Sequence, residues 1–225
     1  MADNYLEKRM EDLRSGRLSR HGAASSSPRR DSLQWRYPPR RVLLIGNDTE
    51  KMTAATAAFV GAECRVAVAT DCHDLGKKLR AAHGVRLYDF SDADSGLRID
   101  VCVDDLFKAW RDVDIVVEIN DCGDCGDCES GDMTARIASE AANSIAARRS
   151  SLPLISDYGG RWIAVVRADA PAPRLSAPLA DVGFTISTVR CGDFAPTGAT
   201  LFGRTLLYLT LPDSRLLDSS EIRLG

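Results

Sequence analysis

Residues 42–68 read VLLIGNDTEKMTAATAAFVGAECRVAV. Val42 to Ile45 are consecutive apolar residues ending at Gly46, the pattern of a strand buried on both faces that breaks into a turn. Asn47, Asp48 and Thr49 are residues that turn a chain and cap a helix. Ala54, Ala55, Ala58 and Phe59 mark a helix of small residues, and Val66 to Ala69 return as a second strand. Strand, helix and strand within about 30 residues make a βαβ unit, the half-module of a nucleotide-binding fold.

The alternation continues down the chain. A helix is predicted over Asp74 to Ala82, closed by His83-Gly84, then a strand over Val85 to Phe90. Leu106, Phe107 and Trp110 give a helix over 103–111 an inward face, and Ile115 to Ile119 form the fourth strand. A long helix over Met133 to Arg149 carries Ile137, Ala141, Ser144 and Ile145 on one side. Strands over Trp162 to Val166 and Gly183 to Val189 follow, then a helix over Leu201 to Leu209 and an edge strand over 220–225. Strands separated by helices imply a parallel sheet with helices on both faces, joined by right-handed crossovers.

From about Val42 to Gly225 the chain resembles the short-chain dehydrogenase/reductase family. Laid without a gap on that family's TGxxxGxG pattern, the first glycine falls on Gly46, the second on Glu50 and the third on Met52. In the family these glycines let the backbone approach a pyrophosphate at a helix N-terminus. Here a glutamate brings like charge and Met52 adds bulk. The family's adenine-side aspartate falls on Asp89, and its NNAG element has become Glu118-Ile119-Asn120-Asp121. Its serine falls on Val166 to Ala168. Fifteen residues separate Arg167 from Gly183, three of them proline (Pro171, Pro173, Pro178), with no tyrosine or lysine where the family carries Tyr-x-x-x-Lys. Proline at this density leaves room for a couple of helical turns over 175–181.

The resemblance implies an α/β, Rossmann-like, doubly wound parallel sheet in the order 3-2-1-4-5-6-7, a three-layer sandwich. It also implies a degenerate member with no catalytic residues, in which Gly46 and Asp89 are remnant cofactor-binding positions. No cofactor is expected, with NAD(P) as the alternative. Proton transfer in the family needs a tyrosine of matched pKa within hydrogen-bond reach. Tyr158 precedes the fifth strand, while Tyr88, Tyr208 and Lys108 fall on core-facing or helical positions. His21, His73 and His83 form no Ser/His/Asp constellation. The functional expectation is a non-catalytic binding or regulatory subunit, a homo-oligomer or a hetero-oligomer with a short-chain dehydrogenase relative. The alternative is a diverged NAD(P)-dependent oxidoreductase.

One motif stands outside the resemblance. Asp121 to Cys128 read DCGDCGDC, a C-x2-C-x2-C run at the carboxyl end of the fourth strand. Thiolates at this spacing share soft metals or iron–sulfur clusters. Cys122, Cys125 and Cys128 are candidate ligands, and Cys191, at the end of the sixth strand, is a candidate fourth. The interleaved Asp and Gly equally suit a solvated acidic loop, the preferred reading.

Composition bounds the rest. With 44% apolar and 27% charged residues in 225, the chain suits one α/β domain with an appendage. Residues 1–40 are expected to hold an amphipathic helix over 4–14, with Leu6, Met10 and Leu13 on one face, and a disordered basic linker. Residues 41–225 form the Rossmann domain. Residues 1–41 carry a net charge of +5 and the remainder −8, read as a solvated tail on an acidic body rather than a nucleic-acid contact. No apolar run reaches the roughly 20 residues of a membrane helix, and the polar N-terminus is unlike a secretory signal. A cytoplasmic protein is expected, its seven cysteines being thiols or ligands.

Overall fold

The computed structural model describes residues 40–92, 97–120, 130–151, 160–170, 176–192, 198–211 and 220–224. Contacts divide the chain at Trp35 and Arg36, and all described residues belong to the second unit. The expected N-terminal helix and linker lie outside the described residues.

In that unit, β1 (Arg41–Gly46), α1 (Thr49–Gly61), β2 (Arg65–Thr70), α2 (His73–His83), β3 (Arg86–Asp89), α3 (Ile99–Trp110) and β4 (Ile115–Asn120) follow in turn. Then come α4 (Ser130–Ser151), β5 (Gly160–Val166), α5 (Ala177–Asp181), β6 (Phe184–Cys191), α6 (Gly198–Leu209) and β7 (Ser220–Leu224). The seven strands form one sheet in the order β3-β2-β1-β4-β5-β6-β7, every pair parallel. This is the expected doubly wound architecture.

β1 is apolar throughout because both its faces are covered. Leu43 and Ile45 join the core under α3 and α4, with Val103, Leu106, Ile137 and Ile145. Val42 and Leu44 point the other way, to Met52 and Phe59 of α1, Leu75 of α2 and Phe202 and Leu206 of α6. Burial of each such side chain contributes about 1.5–3 kcal/mol.

The position of α6 corrects one expectation. From β1 to β3 the chain steps one way along the sheet with α1 and α2 on one face. From β3 to β6 it steps the other way with α3, α4 and α5 on the opposite face, which keeps the same hand. β6 to β7 continues in this second direction, yet α6 packs on the face of α1. That last crossover therefore has the opposite hand to the others, against the usual right-handed rule. Close approach of α6 to α1 accompanies it. A Cβ on Gly203 would stand 2.8 Å from the Ala58 Cβ.

At the amino end of the sheet, charges are paired. Asp114 accepts from the Arg41 backbone N at 3.0 Å, Nε at 2.7 Å and Nη2 at 2.6 Å. Arg149 of α4 reaches Asp112 through Nε at 2.8 Å and Nη2 at 2.9 Å, with its guanidinium 4.5 Å from the Phe184 ring centroid. These pairs tie the starts of β1, β4 and β6 to α4, and leave the carboxyl end for the site.

Candidate functional site

In open α/β sheets, ligands bind outside the carboxyl ends of the strands at the point where strand order reverses. Here that point lies between β1 and β4, next to the β1–α1 turn. Gly46 ends β1 against Ile119 of β4, and a Cβ there would lie 2.7 Å from the Ile119 carbonyl oxygen. Only glycine fits so close an approach.

Asp48 then caps α1. Its Oδ1 accepts from the Lys51 backbone N at 2.8 Å, and its Oδ2 lies 2.9 Å from Lys51 Nζ. The Lys51 side chain is 3% exposed and that of Asp48 20%. A helix N-terminus attracts an anion through its free N–H groups and dipole. In this chain the anion is supplied by its own aspartate, already neutralised by a buried lysine.

Two expected obstructions separate here. Glu50 is exposed in the first turn of α1 and adds a second negative charge to that end. Met52 does not enter the turn. It is fully buried in the core beneath it, its Sδ 3.3 Å from where a Gly46 Cβ would stand. The expectation that Met52 crowds the phosphate cradle is corrected. The helix has a residue facing the core at that point, and the methionine fills the core.

Asp89 ends β3, two strands away from Gly46. It pairs with His73 Nδ1 at the start of α2. Its Oδ1 accepts from the Ser91 backbone N at 3.0 Å and the Ser91 hydroxyl at 2.5 Å. Partial burial pushes its pKa up, but the bonds from Ser91 and His73 outweigh that and hold the carboxyl below its ordinary value. Among described residues these contacts make Asp89 a carboxylate that organises the β3 exit. His73, its partner, is half-exposed at the surface.

Cys191 closes β6 and is buried on the α1 side of the sheet. Burial pushes its thiol pKa up; the nearby Lys51 charge pulls it down in part and Asp48 adds to the rise. Cys122, Cys125 and Cys128 lie outside the described residues. Among the described residues no three His, Cys, Asp or Glu side chains are grouped to hold a metal ion.

Where the family resemblance would put a serine, the β5 exit is clamped instead. Arg190 of β6 donates through Nη1 to the carbonyls of Arg167 at 3.4 Å, Ala168 at 3.3 Å and also Ala170. Its Nε lies 2.8 Å from Glu221 of β7. Nothing in the periodicity marks Arg190, because its partners lie twenty or more residues away. The following helix, α5, has five residues, APLAD, and so offers neither a tyrosine nor a lysine. Among the described residues, the N-terminus of α1 carries the Asp48 carboxylate bonded to Lys51 N and Nζ.

Glu118, at the NNAG position, was missed as a chemical group. It faces the α4 side of the sheet, where Oε2 accepts from Trp162 Nε1 at 3.1 Å. Burial raises its pKa, with the Trp162 bond opposing.

No family model matches the chain, and no curated protein matches it. Solved structures do. An enoyl-(acyl-carrier-protein) reductase from Anaplasma phagocytophilum, in complex with NAD, aligns over 84% of this chain and 93% of its own. Its TM-score is 0.55 and its identity 17%. The RhlG/NADP complex of Pseudomonas aeruginosa aligns over 85% and 97%, with a TM-score of 0.57 and 10% identity. The 2-keto-3-deoxy-D-gluconate dehydrogenase of Streptococcus agalactiae aligns over 82% and 94%, with a TM-score of 0.55 and 12% identity. The chain has the fold of these short-chain dehydrogenase/reductase structures.

Proposed function

We propose that this chain is a non-catalytic binding subunit built on the short-chain dehydrogenase fold, which has given up its dinucleotide. The observation that carries the reading is the Asp48 carboxylate on the N-terminus of α1, bonded to Lys51 N and Nζ. A diphosphate approaching that turn meets like charge from Glu50, and the Lys51 ammonium beside it is already paired with Asp48. It also finds a cap N–H already taken, where each charge-assisted bond to phosphate would be worth about 1.5–3 kcal/mol. The five-residue α5 and the Arg190 clamp support loss of the chemistry as well, because neither supplies a tyrosine to protonate a reduced carbonyl.

A binding role needs a surface. Leu201 and Tyr208 of α6 are 53% and 55% exposed, and seven residues apart they share one helical face. This supports assembly with a second copy or with an active relative, as large apolar side chains on one face suit a partner better than water.

The test is titration with NADH and NADPH followed by tryptophan fluorescence. No saturable change is expected up to millimolar cofactor. Saturation in the micromolar range would overturn the reading in favour of a diverged NAD(P)-dependent oxidoreductase.

A further inference from the structure

On the α4 side of the sheet, between β4, β5, β6, α4 and the short α5, lies a cavity of about 220 Å³. Each water occupies roughly 30 Å³ of liquid volume, so this space admits several waters or one small organic molecule. Its origin is legible in the fold. Five residues of α5 cannot cover the span of sheet that a full helix would.

The polar groups at its wall converge. Glu118 faces it from β4, and Trp162, Ser139, Asn143 and Ser176 join it from β5, α4 and the α5 cap. Glu118 is half-buried and has Trp162 Nε1 as the donor to one of its two oxygens. Ser176 is independent of it. This residue caps α5 in position but makes no side-chain cap bond, and its hydroxyl oxygen is buried with no hydrogen-bond partner among the described residues. Serine at a helix cap usually turns its oxygen to the helix N–H groups. A buried hydroxyl without a partner, beside a half-buried carboxyl on the same cavity, is costly unless something else bonds it. The remaining wall is alanine, leucine and isoleucine, with no lysine or arginine in it.

We propose that this cavity binds a small primary amine, its ammonium paired with Glu118 and hydrogen-bonded by Ser176, its alkyl body against the apolar wall. A site with a carboxylate and no cation selects a donor-bearing, positively charged head and rejects an anion. The site lies on the sheet face under α4 and does not depend on whether the β1–α1 turn binds a dinucleotide.

The test uses three probes of one size, n-butylamine, n-butanol and butyrate, titrated into the full chain by calorimetry. Saturable binding of n-butylamine is expected, weaker binding of n-butanol and none of butyrate. Glu118→Gln keeps an acceptor for Trp162 and should weaken n-butylamine at least tenfold while leaving n-butanol unchanged. Ala138→Leu, which fills the cavity, should abolish binding of both, with circular dichroism checking that the variant is folded. If it is not folded, Glu118→Gln alone decides. Absence of saturable n-butylamine binding, unchanged n-butylamine affinity in Glu118→Gln, or tighter binding of butyrate than of n-butylamine would overturn the proposal. Titration with NADPH, which tests the proposed function, leaves these outcomes untouched.

Discussion

Lys51 Nζ lies 2.9 Å from Asp48 Oδ2, one turn back in the chain, with the lysine side chain 3% exposed. The pair closes the first turn of α1 and occupies the point where strand order reverses. Removing the carboxylate removes both a helix cap, worth about 0.5–2 kcal/mol, and the counter-charge of a buried ammonium.

Asp48→Ala should therefore lower stability by about 1–3 kcal/mol in urea denaturation. Asp48→Ser keeps the cap and drops the charge, so it should cost less. It should also let millimolar pyrophosphate raise the melting temperature, which it should not do for the unmodified chain. Equal pyrophosphate responses in the two proteins would show that Asp48 does not occupy the anion site.

Glu118 carries a pH signature. Its folded pKa is raised by burial, so the folded state holds its proton more tightly than the unfolded chain does. Stability from this group is present below the unfolded carboxyl value of about 4.3 and declines as pH rises through the folded value. Glu118→Gln removes the decline. The variant should match the unmodified protein at low pH and become the more stable of the two as pH rises to 8. Denaturant melts across that range check it, and a constant difference at every pH would contradict the assignment.

Asp112 and Arg149 form a pair whose side chains are 5% and 2% exposed. Breaking a buried pair by removing one partner costs about 3–5 kcal/mol. Arg149→Met, which also loses the bond to the Val113 carbonyl at 2.9 Å, should fall in that range by urea denaturation. A loss under 1 kcal/mol would mean that the Phe184 ring and Val182 accommodate the methionine without the charge.

Gly203 tests the close approach of α6 to α1. Gly203→Ala gains roughly 1 kcal/mol of helix propensity but places a Cβ 2.8 Å from that of Ala58, and overpacking costs about 1–3 kcal/mol. A net loss is expected, recovered at least in part by adding Ala58→Gly. Additive single effects in that cycle would show that the two positions are not in contact.

The order of elements was legible because it rests on local patterns. Val42 to Ile45 are apolar at every position since β1 is covered on both faces, and the proline-rich interval before Gly183 leaves only the short α5. Boundaries moved by a few residues; α3 begins at Ile99 rather than Val103, and α4 runs from Ser130 to Ser151. At Met52, a residue counted against the site proved to belong to the core, because the turn of the helix about its axis, not its place in the motif, decides which way a side chain points. The departure of the motif at Glu50 was visible. The choice among Asn47, Asp48 and Thr49 as cap was not, since all three are good caps.

While the strand order came only as what the family resemblance implies, the sequence by itself determined the seven strands, the alternation of helices, and the absence of tyrosine and lysine between β5 and β6. Those follow from apolar runs and residue types read within a window of a few residues. Tertiary structure alone decided what the buried polar groups do. Trp162 reaches Glu118 across 44 positions of sequence, Arg190 holds carbonyls twenty or more positions before it, and α6 lies on the face of α1. Hydrophobic periodicity says which face of an element is buried. The partner met there is set by strand register and by which helices share that face, and these are fixed only when the whole sheet closes.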